Sequence, residues 1–314
     1  EQRSSGMISI RDLRVDYADL CAVDDISLEV KPGEVYGLIG PNGAGKTSTM
    51  KVLAGLLTPT YGEIQLAGID VREQPRVIGT VLGYMPDFSP VYDDLLVWEF
   101  LDLFAASYFI PKTQRRAEIE RRLSEVGLME KRDVLVVELS RGMKQRLMLA
   151  KTLLPEPKVL LLDEPASGMD PHGRAQMKQV IRDFAGNGGS VLISSHILAE
   201  MDEFCTSIGI MQRGKMVVSG RVDEITARVM GKSVLEIEFI EHSNVLETVL
   251  PQCRVNGRAQ KNGRHFEVPF DGDDSAAAGL LTEIIRAGAR VSRFQRKRES
   301  LEDVFLQIGA KELS

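Results

Sequence analysis

Residues 34–47 read EVYGLIGPNGAGKT, and this stretch decides the fold. Its first six residues form a short apolar run, which predicts a strand buried on both faces. Its last eight residues fit the pattern G-x-x-x-x-G-K-[ST] and lead into a helical stretch. Gly40, Gly43 and Gly45 open backbone conformations that other residues avoid, so that loop amides can point at phosphate oxygens beside a helix N-terminus. The stretch therefore predicts a phosphate-binding loop.

Two side chains of this loop have distinct predicted roles. Lys46 is predicted to reach the β- and γ-phosphates of a nucleotide, and the Thr47 hydroxyl is predicted to ligate Mg²⁺. A glycine turn in an unrelated sheet protein could share the letters, but the strand before the loop and the helix after it favour phosphate binding. The predicted nucleotide-binding positions are Gly40, Asn42, Gly43, Ala44, Gly45, Lys46, Thr47 and Ser48.

A second apolar run, 159–164, reads VLLLDE and ends in two adjacent carboxylates. Asp163 is predicted to hold Mg²⁺ through water, and Glu164 to orient or deprotonate the attacking water. Apolar strands that end in acids are common, so this run alone indicates little. Beside a phosphate loop it is the expected partner.

Apolar periodicity gives the coarse secondary structure of the first 220 residues. The strand at 159–163, the helix at Pro171–Phe184 and the strand at 190–195 form a unit that implies a parallel sheet with helices on its faces. The other predicted strands are 7–17, 22–30, 34–39, 63–71 and the end of 76–85, and the other predicted helices are Lys46–Leu57, Leu95–Phe109, Thr113–Val126 and Ser140–Leu154.

After Gly220 the character of the sequence changes. A hairpin-type turn is predicted at Asn262-Gly263. The predicted order is β-α-β-β-α-β, which is typical of a ferredoxin-like domain. Its elements are a strand at 234–239, a helix at 244–250, strands at 254–260 and 264–270, a helix at 273–287, a strand at 290–296 and a helix at 300–308.

Composition excludes several classes of protein. The 314 residues suggest roughly two domains, and 39 basic against 45 acidic residues give a net charge of −6, which offers no field for nucleic acid. The three cysteines form no C-x-x-C pair, which argues against a zinc site and favours a reducing compartment. The longest apolar stretch, 95–110, carries two acids and is too short for a transmembrane helix. Residues 1–6 are expected to be a cloning remnant or a loose leader.

Further motifs lie in a fixed order around the two nucleotide motifs. Residues 139–146, LSRGMKQR, resemble the signature sequence of ABC ATPases, whose usual form is LSGGQ. Residues 167–171, SGMDP, resemble the loop that follows the second nucleotide motif in that family, and 194–196, SSH, resembles its switch histidine. The resemblance covers about residues 7–220.

The resemblance implies roles for five further residues. Ser140 and Gly142, at the start of a helix whose amides and dipole suit a γ-phosphate, complete the nucleotide site of a second subunit in this family. His196 contacts the γ-phosphate as part of the catalytic set with Lys46 and Glu164. Tyr17 stacks on adenine, and Asp170 communicates between the two sites.

Asp87 departs from the family pattern, which usually has glutamine at this place in the loop. Its side chain is one methylene shorter and carries a charge. It either binds Mg²⁺ through water or does not reach the ion, and hydrolysis is slowed or coupling altered in the second case. Because Lys46, Asp163, Glu164 and His196 are all present, we expect activity to be retained.

The resemblance also implies a fold class and a domain organisation. It predicts an α/β protein with a P-loop NTPase core of the RecA-like type, an antiparallel β subdomain, and a helical subdomain at about 90–155 that carries the signature. This ABC ATPase domain spans 7–220. A small α+β domain follows at 221–314.

The function implied by the resemblance is an ATPase subunit that powers an ABC export transporter through ATP-driven closure of a dimer. Residues 300–306, SLEDVFL, resemble the ending of export-type ATPase subunits. The implied ligands are ATP and Mg²⁺. The implied partners are a membrane-spanning permease subunit and a second ATPase subunit, with the protein peripheral on the cytoplasmic face of the membrane. Two alternatives stay open: a nucleotide-binding regulator with weak turnover, motivated by Asp87, and a soluble non-transport ABC ATPase.

Overall fold

The structure is a computed structural model. It describes residues 6–87, 91–197, 205–229, 233–240, 260–262, 264–270 and 272–297. The chain divides into two compact units, Glu1–Val222 and Asp223–Ser314.

The first unit combines ten strands and six α-helices among its described residues. The strands are β1 (Ile8–Tyr17), β2 (Leu20–Val30), β3 (Val35–Ile39), β4 (Tyr61–Leu66), β5 (Ile69–Asp70), β6 (Leu82–Met85), β7 (Val159–Asp163), β8 (Ser190–Ser195), β9 (Ser207–Gln212) and β10 (Lys215–Arg221). The helices are α1 (Lys46–Leu53), α2 (Pro75–Ile78), α3 (Val97–Ser107), α4 (Lys112–Glu125), α5 (Arg141–Leu153) and α6 (Pro171–Gly186).

A six-stranded sheet forms the centre of this unit, in the order β10-β9-β3-β8-β7-β6. Its inner pairs, β9·β3, β3·β8, β8·β7 and β7·β6, are all parallel, and only β10 pairs in the antiparallel sense. Every residue of β3, β7 and β8 is buried, which explains their nearly uninterrupted apolar sequences. The carboxyl ends of β3, β8, β7 and β6 therefore lie side by side at one edge.

A second, antiparallel sheet has the order β2-β1-β4-β5. Its strands alternate between buried and exposed residues, as expected of strands with one wet face. One apolar cluster joins its inner face to α1 and to the central sheet, with Ile10 and Val23 from the small sheet, Met50 from α1, and Leu38 and Leu161 from the large sheet.

Helices α3, α4 and α5 form the helical part of the unit and bury Phe100, Leu123 and Leu149 completely. Helix α4 is strongly charged, and its buried Arg122 pairs with Glu118 and Glu125. Among the described residues, no helix combines the length and the apolar character that crossing a membrane requires.

Two boundaries predicted from the sequence are wrong. The single strand predicted at 63–71 is a hairpin, because Ala67 and Gly68 both adopt positive φ (50° and 78°) and turn the chain between β4 and β5. The helix that begins at Lys46 ends at Leu53 instead of Leu57, since the chain reaches a positive φ at Gly55. The strand predicted at the end of 76–85 is β6, and the short helix α2 precedes it.

The sequence reasoning also missed β9 and β10. These strands form a hairpin whose two-residue turn is Arg213-Gly214. Their signal was present, because two apolar runs flank a glycine-containing turn.

The second unit contains a four-stranded antiparallel sheet in the order β12-β13-β11-β14. The elements are α7 (Val222–Val229), β11 (Ser233–Phe239), β12 (Gln260–Asn262), β13 (His265–Phe270), α8 (Asp274–Arg286) and β14 (Val291–Lys297). One face of the sheet packs on α8 through Ile237, Phe266 and Leu280. The predicted helices at 244–250 and 300–308 and the strand residues 254–259 lie outside the described residues, so the ferredoxin-like assignment stays a prediction. The sequence did not predict α7.

Candidate nucleotide site

Four loops meet at the carboxyl edge of the central sheet. The phosphate loop leaves β3 at Gly40, His196 follows β8, Asp163 and Glu164 end β7, and Asp87 lies two residues beyond β6. Because these strands are parallel neighbours with Ile39 beside Ser195, Ser194 beside Asp163 and Leu162 beside Met85, the loops emerge together. Such an edge is where parallel α/β sheets bind ligands.

Lys46 lies at the centre of this edge and is only 6% exposed. Its Nζ donates to the carbonyl oxygens of Gly40 (2.7 Å) and Pro41 (3.3 Å) and lies 3.7 Å from Oε1 of Glu164. Burial lowers the pKa of Lys46, while the charges of Glu164 and Asp163 act in the opposite direction. The ammonium group is thus held inside the loop and faces the end of β7.

The other residues of the loop surround this lysine. Gly43 and Gly45 adopt positive φ (81° and 105°), which lets the loop turn back on itself before α1 begins. Ala44 and Gly45 are buried, Ser48 is half-buried, and Asn42 and Thr47 are exposed. The exposed Asn42 and Thr47 thus flank the buried part of the loop, and Thr47 lies in the first turn of α1.

Asp163 is 1% exposed and is held by the neighbouring strand. The Ser194 hydroxyl donates to Oδ1 of Asp163. The same Ser194 accepts the amide of Glu164, at 3.1 Å to its Oγ and 3.2 Å to its carbonyl oxygen. Ser194 therefore fixes both carboxylate-bearing residues at the end of β7.

Glu164 has a positive φ of 50°, which costs a non-glycine residue on the order of 1 kcal/mol or more. The hydrogen bonds that its amide donates to Ser194 hold it in this conformation. Its Oε2 lies 2.8 Å from Nδ1 of His196, and its Oε1 faces Lys46. The conformation thus places one carboxylate between an imidazole and an ammonium group.

A half-buried tyrosine lies on the strand next to this carboxylate pair. Burial, assisted by the charge of Asp163, raises the pKa of Tyr84 to about 12. Tyr84 pairs with Leu161 of β7, two residues before Asp163, so the negative charge of Asp163 is near enough to oppose ionisation of the phenol.

Tyr17 lies at the end of β1 and is 42% exposed. Its hydroxyl is 3.4 Å from Oγ of Ser48, in the first turn of α1. The structure therefore brings this aromatic ring to the end of the phosphate loop, as a base-stacking role requires.

Ser140, Gly142 and Asp170 lie together in a different place. Ser140 caps α5 by accepting the amide of Met143 at 3.3 Å, and Gly142 packs against Met169. Asp170 caps α6 by accepting the amide of Gly173 at 2.7 Å. These contacts join the start of α5 to the loop before α6 rather than to the phosphate loop.

The sequence reasoning missed Ser194 as a site residue. A pair of serines at the end of an otherwise apolar strand was the available signal, because a hydroxyl buried there needs a polar partner. Asp163, on the adjacent strand, is that partner.

Comparisons with known proteins agree with this geometry. The ABC transporter family profile matches residues 23–167, and a profile for the C-terminal domain of DrrA1-3-like ATP-binding proteins matches 220–308. An uncharacterized ABC transporter ATP-binding protein of Bacillus subtilis, YxlF, is 36% identical over 305 residues, which are 96% of this chain and 99% of that protein.

A Nod factor export ATP-binding protein I of Burkholderia thailandensis is 32% identical over 306 residues and covers 98% of each chain. A solved ATP-binding subunit of an ABC transporter superposes with a TM-score of 0.65 at 29% identity, covering 71% of this chain and 92% of that one. The same family is indicated by the phosphate loop, by the carboxylates at the end of β7 and by the similarity to full-length relatives. The chain belongs to the family of ABC transporter ATP-binding proteins, whose members are ATPases.

Proposed function

We propose that this chain hydrolyses ATP to power an ABC export transporter, through closure of a dimer on ATP. The observation that carries the proposal is the convergence of Lys46, Asp163, Glu164 and His196 at one sheet edge. An ammonium group, a buried carboxylate and a carboxylate–imidazole pair are the groups that phosphoryl transfer to water needs.

The phosphate loop would hold the triphosphate of ATP. Lys46 would exchange the carbonyl oxygens of Gly40 and Pro41 for β- and γ-phosphate oxygens, and Tyr17 would stack on the adenine. Mg²⁺ prefers oxygen ligands. The ion would be held by Thr47 and Asp163, and through water by Asp87. When bound, Mg²⁺ neutralises charge on the phosphate oxygens.

Glu164 would orient the attacking water and accept its proton. Its carboxylate is anchored by His196 on one oxygen and by Lys46 on the other. His196 would in turn contact the γ-phosphate. The bonds from the Glu164 amide to Ser194 fix the backbone from which this carboxylate projects.

The second half of the site would come from another copy of the chain. Ser140 is exposed at the N-terminus of α5, where amides and the helix dipole favour a γ-phosphate. Ser140 and Gly142 would bind the ATP held by the phosphate loop of the partner, and Asp170 would lie between the two sites. Since one chain carries both halves, a homodimer suffices.

Export is supported by the full-length similarity to Nod factor export ATP-binding proteins. The proposed partner is a membrane-spanning permease subunit encoded as a separate chain. The protein would then act at the cytoplasmic face of the membrane as a peripheral subunit.

Light scattering with and without Mg-ATP tests the dimer mechanism. We expect Glu164→Gln to double in mass only with Mg-ATP, because blocked hydrolysis traps the closed state. Glu283→Gln, which alters an exposed ion pair on α8, is the matched control and should stay monomeric with Mg-ATP like wild type. A Glu164→Gln protein that binds ATP and stays monomeric would refute closure by the chain alone.

Hydrolysis rates decide between the ATPase and a regulator with weak turnover. The charge of Asp87 at this exposed position beyond β6 is the observation that favours the second function. We expect wild-type turnover to exceed that of Glu164→Gln by at least about 100-fold. Equal rates in the two proteins would establish the regulator, and a gain of turnover in Asp87→Gln would trace the loss to that residue.

A further inference from the structure

The hairpin of β9 and β10 contacts the phosphate loop directly. Its turn residues, Arg213 and Gly214, both have positive φ (49° and 82°), as a two-residue type I′ turn requires. The Gly214 amide donates to the carbonyl oxygen of Ala44, inside the phosphate loop, at 3.1 Å. The Gly214 carbonyl accepts the amide of Asp24, on β2, at 2.8 Å. The backbone of this one residue thus bridges β2 and the phosphate loop.

Glycines of the phosphate loop are pressed against the same two elements. A Cβ on Gly40 would lie 2.3 Å from the carbonyl oxygen of Met211, the residue next to the end of β9. A Cβ on Gly45 would lie 2.5 Å from the carbonyl oxygen of Ala22, on β2. The phosphate loop is therefore wedged between β2 and the β9–β10 hairpin, with backbone against backbone.

The hairpin is also connected, through ion pairs, to the side of the site where Tyr17 lies. Asp24 pairs with Lys215, the first residue of β10, at 3.4 Å, and with Arg14 on β1 at 2.9 Å. Arg14 also binds Asp16, the neighbour of Tyr17, at 2.9 Å. A chain of contacts thus runs from the hairpin to the strand end that carries Tyr17.

We infer that Gly214 is a positioning residue of the nucleotide site, which holds the phosphate loop through Ala44 and aligns it with the Tyr17 strand. The inference rests on the proposed function, in which this loop and Tyr17 bind ATP. Gly214 touches no reacting atom in this scheme. Its substitution should therefore weaken ATP binding and leave the groups on β7 and β8 in place.

The test variant is Gly214→Ala, measured by fluorescence titration with a mant-labelled ATP and by steady-state ATPase kinetics. An alanine here must keep a φ of 82° and place its Cβ 3.1 Å from the Ala22 carbonyl oxygen. Relief of this strain moves the turn and breaks the bond to Ala44. We expect the Kd and KM for ATP to rise about tenfold, the scale of one hydrogen bond, with kcat within about threefold of wild type.

Gly68→Ala is the matched control. Gly68 is also the second residue of a two-residue turn, follows a residue with positive φ, and has a φ of 78°, but a Cβ there meets nothing within 4 Å. The same backbone strain is therefore introduced away from the site. We expect its Kd for the labelled ATP to stay within about twofold of wild type.

Gly214→Asn provides a second variant if the alanine protein does not fold, because asparagine tolerates this backbone conformation better. Its Kd should lie between those of wild type and Gly214→Ala. If the wild-type protein binds ATP and the folded Gly214 and Gly68 variants have equal Kd values, the inference is overturned and the proposed function is not affected. Absence of binding by the wild-type protein would overturn the proposed function, and this inference with it.

Discussion

Replacement of Ser194 by alanine should damage the site far more than its size suggests. The Ser194 hydroxyl is fully buried, donates to Oδ1 of Asp163 and accepts the Glu164 amide at 3.1 Å. The change removes one oxygen atom, so the cavity is small. It also leaves a carboxylate that is 1% exposed without its donor.

The magnitude follows from the charge of the acceptor. A hydrogen bond to a charged group contributes ~1.5–3 kcal/mol, against ~0.5–1.5 kcal/mol for a neutral one. The Glu164 amide keeps its bond to the Ser194 carbonyl oxygen at 3.2 Å, so its loss is partial. We expect the free energy of unfolding to fall by ~2 kcal/mol. If the poorer orientation of Asp163 also reduces the stabilisation of the transition state by ~2 kcal/mol, kcat/KM for ATP falls about 30-fold.

Ser190→Ala offers a control from the opposite end of the same strand. Ser190 is also fully buried, but its hydroxyl donates to the neutral carbonyl oxygen of Lys31 at 2.7 Å. Urea unfolding should show a loss of ~1 kcal/mol, and ATPase kinetics should match wild type. The reasoning is refuted if the two variants have the same kcat/KM, since Ser194 would then stabilise the strand only.

Three further predictions concern other parts of the first unit. Burial raises the pKa values of Tyr36 and Tyr84 to about 12. The neutral tyrosines contribute to the stability of the fold below pH ~10, and this contribution should disappear between pH 10 and 12 as the side chains ionise. In an ultraviolet titration, Tyr36→Phe and Tyr84→Phe should each lose part of the late phase of tyrosine ionisation. Tyr17→Phe should bind labelled ATP like wild type, whereas Tyr17→Ala should bind it about tenfold more weakly; equal binding by all three proteins would exclude stacking. Arg122→Ala should lower the free energy of unfolding by ~2–3 kcal/mol, because Arg122 is a buried member of an ion-pair network, while exposed Arg116→Ala should cost at most ~0.5 kcal/mol in the same urea titration.

Local sequence signals predicted much of the central sheet. The apolar runs at 34–39, 159–163 and 190–195 are strands because each is buried on both faces, and the glycine-rich loop follows the first of them. The family resemblance added His196, whose neighbour in the structure is Glu164. The chemical roles of these residues stay predictions.

The failures have physical reasons that a linear pattern does not display. The alternation of apolar and polar residues runs through 63–71, yet the positive φ of Ala67 and Gly68 divides this stretch into two strands. The hydrogen bond between Ser194 and Asp163 joins residues that are 31 positions apart in the sequence. The hydrogen bond between Gly214 and Ala44 spans an even larger sequence separation. Such pairs follow from sheet order, which periodicity alone does not determine.

The order of the central sheet has a consequence for how the chain is made. Strand β8 lies between β3 and β7, although it is synthesised after both. Until residue 195 has left the ribosome, the phosphate loop and the carboxylates of β7 stand on strands with no common neighbour, each with an unpaired edge. The nascent chain therefore cannot assemble its nucleotide site from its first 189 residues, and insertion of β8 is the step that joins them. Pairing over such sequence separations folds slowly, so we expect the insertion of β8 to be a late step in folding.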